Sequence, residues 1–470
     1  MIPVVPEIKT KTMERFFLFA VSGLFFCQTL DAAEPDDSTR IELTSHSLVS
    51  SKQVPFWLEM NRLGEISDDV KGQQVFVFDA SHFSSKEDKK ISLEYGTSLV
   101  GRLGREQDVY AEQYWGKLNL GVFYLLVGAK AEPVWGNGLS LTNGDLYLSN
   151  NARPLPRGEF GFNGLTLFSG WFDRFSFDLR YSEYFPTDDR YVDHAHLHHK
   201  KFILNYQASN SLTFHMGLDH WVFWKGTSPD PRIGKMPGFS DYLRYIFGQS
   251  GGNDSPETDQ LNAAGNSLGH YIFSTDLVRP EFKLQFYWQH LFEDGSGIIF
   301  KNIKDGMWGI SYTRMKKKSL IQSAVLEYIH TLDQSGDRQS DGHDNYFNHG
   351  VYRSGFVAYN RMIGVPLFVP TIENGISTGF SSTRLWGFHT GVLGYLSDNI
   401  SWSGRATYSK YYGTYNIPFD YPLNLVSLEA GCYLKMKKVP LAYEIKMAAD
   451  LGDYEQDSFG MQFSLFYKLK

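Results

Sequence analysis

Several groups of residues carry side chains suited to catalysis or metal binding. Gly265-Asn266-Ser267-Leu268-Gly269, followed by His270, fits the G-x-S-x-G pattern of a hydrolytic serine. That pattern works when a strand precedes the Ser and a helix follows, so that the hydroxyl stands exposed on a sharp turn. Here a helical pattern precedes and a strand-like stretch, 271–277, follows, so the glycines read as a loop returning the chain to a sheet. Asp193, His194, His196, His198 and His199 form the second group. On a strand His194, His196 and His198 share one face, a spacing at which three imidazoles can hold a transition metal. The same alternation makes them polar residues lining a wet interior, continued by Lys200 and Lys201, and no metal is assigned. The carboxylate pairs Asp188-Asp189 and Glu293-Asp294 suit acid–base work, but Glu293-Asp294-Gly295-Ser296-Gly297 reads as a turn with solvated charges. There is no Gly-rich phosphate loop and no zinc-protease helix, so no cofactor is expected.

A fourth group is denser. Asp344-Asn345-Tyr346-Phe347-Asn348-His349-Gly350-Val351-Tyr352-Arg353-Ser354-Gly355, with Arg361-Met362-Ile363-Gly364-Val365-Pro366-Leu367-Phe368 beyond it, crowds Asn, His, Arg and Tyr among glycines. Planar amides and a guanidinium can bond sugar hydroxyls, and aromatic faces can cover the apolar face of a pyranose. A polar, Gly-rich loop joining two strands has the same composition, and side-chain chemistry alone favours the loop.

The elements that must position these residues are strands. In the last twelve residues Phe459, Met461, Phe463, Leu465, Tyr467 and Leu469 form one row, and Gly460, Gln462, Ser464, Phe466, Lys468 and Lys470 the other. Successive strand side chains point to opposite faces, so this strand has one greasy and one mostly polar wall. It is long enough to cross a bilayer when tilted, which takes about 9–11 residues. In lipid its edges need partners, and a closed barrel supplies them. The alternation recurs at Phe175-Phe177-Leu179-Tyr181, at Phe282-Leu284-Phe286-Trp288 and at Trp402-Ala406-Tyr408. In a soluble sandwich the polar face would be the outside, in a membrane barrel the lumen.

Composition and the amino terminus favour the barrel. Aromatic content of 16% with a mean hydropathy of −0.31 is too polar for a helical membrane protein and matches a wall of which half the residues meet lipid between aromatic girdles. Lys9, Lys11 and Arg15 precede an apolar run and Ala32-Ala33 follow it, so 1–33 reads as a secretory signal. Beyond it Cys432 is the only cysteine, and no internal disulfide can form. The net charge of −7 leaves no basic footprint for nucleic acid. The remaining 34–470 reads as one all-β domain, a transmembrane antiparallel barrel of about 16–20 strands. Such a width leaves a lumen that must be lined or plugged. The candidate plug is a helical insertion near 240–268. Ser240 can cap a helix running to Gly248, and Ser255-Pro256-Glu257 opens a second. Both are expected in the lumen or on the periplasmic rim.

The segment 344–368, together with Glu132-Pro133-Val134-Trp135-Gly136-Asn137-Gly138 through Asn151-Ala152-Arg153-Pro154-Leu155-Pro156, and with Asp241-Tyr242-Leu243-Arg244 to Asp259-Gln260-Leu261-Asn262-Ala263-Ala264-Gly265-Asn266, resembles the capsule assembly protein Wzi family in the form common among Bacteroidetes-like bacteria. The resemblance spans nearly all of the chain beyond residue 33, and its specificity lies in the combination of blocks. It implies an outer-membrane barrel of about eighteen strands with periplasmic-side helices. It also implies a non-enzymatic, lectin-like protein that holds capsular polysaccharide at the cell surface. The expected partners are that polysaccharide and outer-membrane lipid, with other capsule-export proteins as a further candidate. The ending Tyr467-Lys468-Leu469-Lys470 departs from the terminal aromatic common in such barrels. The resemblance brings no ligand motif, so the candidate polysaccharide-binding residues come from side-chain chemistry: Trp135, Asn137, Arg153, Asn345, Tyr346, Asn348, His349 and Arg353. Competing readings are a passive porin or oligosaccharide channel, and an outer-membrane lipase or protease using Ser267 or a carboxylate pair.

Overall fold

The structure, a computed structural model, describes residues 37–67, 72–85, 91–105, 107–167, 170–249, 265–293, 295–334 and 344–469. The signal segment 1–33 and the second helix of the insertion lie outside the described residues. In chain order the first strands are β1 (Asp37–Ser50), β2 (Gln73–Ser85), β3 (Ile91–Leu103), β4 (Asp108–Leu120), β5 (Phe123–Ala129), β6 (Arg157–Leu165) and β7 (Phe175–Tyr184). They continue with β8 (His196–Ser209), β9 (Leu212–Trp224), β10 (Asn266–Val278), β11 (Phe282–Phe292), β12 (Gly306–Arg314) and β13 (Ser323–His330). Two short hairpins follow, β14 (Val357–Ala358) with β15 (Arg361–Met362) and β16 (Pro370–Glu373) with β17 (Ile376–Phe380). Then come β18 (Leu385–Ser397), β19 (Ile400–Gly413), β20 (Pro418–Lys435), β21 (Leu441–Gly452) and β22 (Ser458–Lys468).

All but the two hairpins join one antiparallel, eighteen-stranded sheet. β1 pairs with β22, Ser47 opposite Phe463, and so closes the sheet into a barrel. Closure satisfies the wall's backbone groups without water, as lipid demands. The alternation sets the faces as expected. On β22 Phe459, Met461 and Phe463 are 53%, 42% and 43% exposed on the outside, whereas Gln462 and Ser464 are fully buried within. Ser267 already lies inside β10, its hydroxyl 2.8 Å from Nε2 of His220, so the strand–turn–helix setting of a nucleophilic serine is absent there.

The two rims differ. The start of β1, the end of β22 and the two-residue connections 121–122, 210–211 and 398–399 share one rim, while 51–72, 130–156, 225–265 and 331–384 leave the other. Short turns face the periplasm and long loops the exterior in outer-membrane barrels.

The lumen is filled by parts of three of those connections, within 51–67, 130–156 and 344–380. The short helix Phe56–Glu59 buries Phe56, Trp57 and Leu58, and the Trp57 indole N–H donates to Thr407 Oγ1 at 3.1 Å. Tyr147 of connection 130–156 and Tyr346, Phe347, Phe356 and Phe368 of connection 331–384 join Trp221 and Phe223 of the wall in one core. Gly364 lies so close to the other loop that a Cβ there would come within 2.1 Å of Leu146 O, which only glycine permits.

The helical insertion departs from expectation. A 3₁₀ turn, Phe239–Asp241, leads into the helix Tyr242–Ile246, with Asp241 rather than Ser240 at the N-cap. It lies neither in the lumen nor at the periplasmic rim but against the outer face of β7–β9 at the long-loop rim, where Tyr242 meets Tyr181, His198 and Trp224. Those wall residues share the face of Phe175, Leu204 and Met216. His196 and His198 therefore point outward, not into the lumen. Strand alternation is blind to height: near this rim the outer face no longer has to be apolar if something covers it.

Candidate functional site: the lumen plug and the outer rim

The connection 130–156 descends into the lumen and is held by side chains from strands right round the barrel. Arg405 of β19 donates to Gly138 O at 2.5 Å, and His389 of β18 has Nε2 2.7 Å from Leu139 O. Glu327 of β13 accepts from Ser140 Oγ at 2.6 Å and from the Leu141 N–H at 2.7 Å. Gln289 of β11 accepts from the Leu146 N–H at 2.9 Å and donates to Gly144 O at 2.8 Å. Lys201 of β8 reaches Asp145 at 2.5 Å. A loop buried this way must have its polar groups bonded, and the wall's inward residues supply the partners. Gly391 admits the close approach, since a Cβ there would come within 2.5 Å of Leu139 O.

At the plug's mid-point Asp145, Asp219 and His270 bring ligand atoms within 4.8 Å of one another. The Lys201 ammonium stands 2.5 Å from Asp145 and 3.2 Å from Asp219, in the place a cation would take. Burial alone would raise the Asp145 carboxyl, but Lys201 and His270 outweigh it and hold the group below the usual carboxylate range. At the plug's entrance Glu132 likewise stays below that range: burial pushes it up, and Arg180 and Arg157, 2.9 and 3.2 Å away, pull it further down. The arrangement does the work of an internal salt lock.

The outer rim is built differently. Arg153, where the plug returns to the rim, lies with its guanidinium carbon 3.5 Å from the ring centre of Tyr110 and 4.3 Å from that of Tyr359. Its Nε is buried without an acceptor. Tyr359 and Asn360 are the central residues of the β14–β15 hairpin, with φ of 49° and 60°. A two-residue hairpin of this kind asks for positive φ at both positions; Asn suits that and a bulky Tyr does not. The neighbouring segment pins the strained residue. Asp188 Oδ2 accepts the Tyr359 N–H at 2.9 Å, and Arg190 forks onto Asp188 at 2.7 and 2.9 Å. The Tyr359 hydroxyl meets Thr187 Oγ1 at 2.7 Å. Along the same rim Arg353, exposed, covers the ring of Tyr191 at 4.9 Å, and the Tyr191 N–H donates to Ser354 Oγ. Half-exposed aromatic rings beside guanidinium donors offer stacking and hydrogen bonding together.

The eight candidate residues are thus dispersed. Arg153 and Arg353 stand on the rim. Trp135 packs edge-on against Tyr287 at 5.2 Å, and Asn137 donates to Ser323 at the lumen's turn end. Tyr346 is fully buried and donates to Asp305 at 2.9 Å. Asn345 accepts from Thr383 Oγ1 at 2.7 Å, and Asn348 exchanges bonds with both backbone groups of Phe380 at 2.9 and 2.7 Å. His349 accepts the N–H groups of Val351 and Tyr352 at Nδ1, both at 3.2 Å, and burial pushes its imidazole down to about 4. Sequence reading passed over Tyr110, Tyr191 and Tyr359. The last had a signal, Tyr359-Asn360 between the strand-like pairs Val357-Ala358 and Arg361-Met362.

A closed eighteen-stranded barrel with apolar outer rows, a lumen filled by its own loops and an arginine–tyrosine rim is an outer-membrane barrel of the plugged kind. The chain belongs to the capsule assembly protein Wzi family, whose sequence pattern matches residues 54–369. Among solved structures it is similar to Wzi of Escherichia coli, described as an outer membrane protein involved in group 1 capsule assembly and a carbohydrate-binding β-barrel, with TM-score 0.56 and 14% identity over 90% of this chain and 83% of that one. It is also similar to OccK5 (OpdH) of Pseudomonas aeruginosa, with TM-score 0.51 and 9% identity over 92% and 98% of the two chains. OccK3 (OpdO) of the same organism gives 0.50 and 11% over 92% and 96%. No curated protein matches this chain by sequence. At these identities the likeness is one of fold.

Proposed function

We propose that the protein binds capsular polysaccharide at its outer rim, without covalent chemistry, and so keeps the polymer attached to the cell surface. The observation that carries this reading is the Arg153 guanidinium held between the Tyr110 and Tyr359 rings beside a strained hairpin tip. Backbone strain held in place by surrounding contacts, as Asp188 and Thr187 hold the half-buried Tyr359, clusters at functional positions. Family membership and the carbohydrate binding of the E. coli relative support the same reading. Each stacking or hydrogen-bonding contact to a sugar is worth about 0.5–1.5 kcal/mol. Firm attachment therefore comes from many repeats of one polymer meeting many barrels. On this reading Arg153 and Arg353 touch the polymer, with Tyr110, Tyr191 and Tyr359. Asn345, Tyr346, Asn348 and His349 keep the rim loop in shape, and Trp135 and Asn137 keep the plug in place. The filled lumen favours holding a polymer over conducting small solutes.

Deleting the gene and staining for cell-attached and shed capsule tests the proposal. Capsule should move from the attached to the shed fraction, and restoring the protein should return it. Unchanged retention in the deletion strain would overturn the reading.

A further inference from the structure

The helix Tyr242–Ile246 sits on the lipid side of the wall, and height explains what it does there. From the turn rim upward β8 points Tyr206, Leu204 and Phe202 outward, then Lys200 and His198, and the adjoining end of β7 points Glu183 the same way. A strand tilted by about 40° gains roughly 2.5 Å of height per residue, so His198 stands roughly 20 Å above Tyr206, still within an apolar band about 25 Å tall. A carboxylate and an imidazole facing hydrocarbon at that level would be costly unless covered and bonded.

The helix covers them. The Tyr242 hydroxyl donates to Glu183 and meets the Tyr181 hydroxyl at 2.8 Å. His198 Nδ1 at 2.6 Å and the Trp224 indole N–H at 3.2 Å complete the shell around Glu183. Tyr245, 1% exposed, packs with Val222 and Trp224 in a small core separate from that of the lumen. The opposite side of the segment carries Phe239, Leu243 and Phe247, which are 81%, 64% and 68% exposed. Spaced four apart, they form one stripe. The Lys200 ammonium lies 5.5 Å over the Phe247 ring, placing a cation at the same level.

We propose that segment 239–248 is an interfacial anchor: its tyrosines seal the polar top of β7–β9, and Phe239, Leu243 and Phe247 insert among the acyl chains of the outer leaflet just below the headgroups. The occupant is lipid because the stripe continues the outward row of Phe202 and Leu218, 43% and 39% exposed, that the barrel already shows the membrane. An amphipathic segment lying in the interface resists sinking and rising alike. It therefore sets the height at which the adjacent rim stands clear of the headgroup layer.

The test places an environment-sensitive bimane label on the full-length barrel in nanodiscs of phosphatidylcholine and phosphatidylglycerol. Cys432, exposed on the outward row of β20, serves as the in-membrane reference. Leu243→Cys and Phe247→Cys are each made in a Cys432→Ser background, with Arg353→Cys in the same background as the water-side reference. Folding of each variant is checked by heat-modified gel mobility. A nitroxide near the headgroup end of the acyl chain should quench labels at 243 and 247 several-fold more, roughly fivefold, than aqueous iodide does, as an interfacial segment requires. Quenching at both positions that follows iodide, as at 353, would overturn the proposal. Quenching by lipid at 247 but by iodide at 243 would overturn the single-stripe insertion on which it rests.

Discussion

The plug and the rim are made from the same residue types, Arg, Asn, Asp, Tyr and Gly, and use them in opposite ways. In the plug the charges of Asp145 and Glu132 are paired at close range with wall residues, Asp145 with Lys201 and Glu132 with Arg180 and Arg157. On the rim Arg153 lies between tyrosine faces and its Nε has no acceptor, while Arg353 lies over Tyr191 with weaker polar contacts, Gly350 O at 3.3 Å and Asp230 at 3.9 Å. The difference separates bracing from binding. A guanidinium consumed by carboxylates has nothing left for a sugar, whereas one held by ring faces keeps its in-plane donors.

That contrast breaks most sharply at Lys201. Lys201→Met should leave Asp145 and Asp219 as buried carboxylates facing each other, with His199 alone 3.0 Å from Asp219. Removing one partner of a buried pair costs about 3–5 kcal/mol. The expected result is a plug that leaves the lumen part of the time, read as new protease cleavage within 130–156 and as brief large openings in planar bilayers that the parent lacks. A variant as protease-resistant and as silent as the parent would mean that the other wall contacts suffice. Next in size is Arg153→Ala, which should weaken binding to purified capsular polysaccharide by about 1–2 kcal/mol per site, roughly 5–30-fold, with conductance unchanged. Arg153→Lys should recover little of it, because an ammonium lacks the planar fork and the stacking face. Arg353→Ala, removing an exposed pair, should cost only about 0.5 kcal/mol, roughly twofold. Equal losses at 153 and 353 would deny the sandwich any special role.

Why the wall was legible in the sequence and the rim was not follows from the range of the forces involved. Strand alternation is local: Phe459, Met461 and Phe463 against Gln462 and Ser464 declare their faces without reference to any other segment. The strand number and the need for a plug follow from length and from the geometry of closure. The identity of the plug does not, because 130–156 is chosen by partners hundreds of residues away, Glu327, His389 and Arg405 among them. The same holds for Tyr110, which becomes a candidate only once Arg153 is laid on it. Asn345 and Asn348 look like ligand residues in sequence because side chains that bond sugars also bond backbone, and here each finds protein partners first. The outward histidines fail for another reason: the rule that the polar row faces the lumen is a statement about lipid, and the helix over Glu183 and His198 keeps lipid away.

The finest probe of the rim is pH. His349 accepts two backbone N–H groups at Nδ1, which a protonated ring cannot do, and burial holds it down to about 4 against an ordinary 6.5. The ordered loop thus binds fewer protons than the opened one, so its stability is complete above about pH 6.5 and drains away as pH falls toward 4. At pH 6.5 half of the opened loops would carry the charge, a loss of roughly 0.4 kcal/mol, and the loss steepens below that. Polysaccharide binding should therefore fall gently from pH 7.5 to 6.5 and faster by pH 5.5, while the plug, locked by Asp145 and Lys201, keeps its protease resistance over the same range. His349→Asn, able to accept at a similar position without titrating, should flatten the curve. If His349→Asn keeps the parent's slope, the proton is read elsewhere, and the rim and plug are more closely coupled than their separate contacts imply.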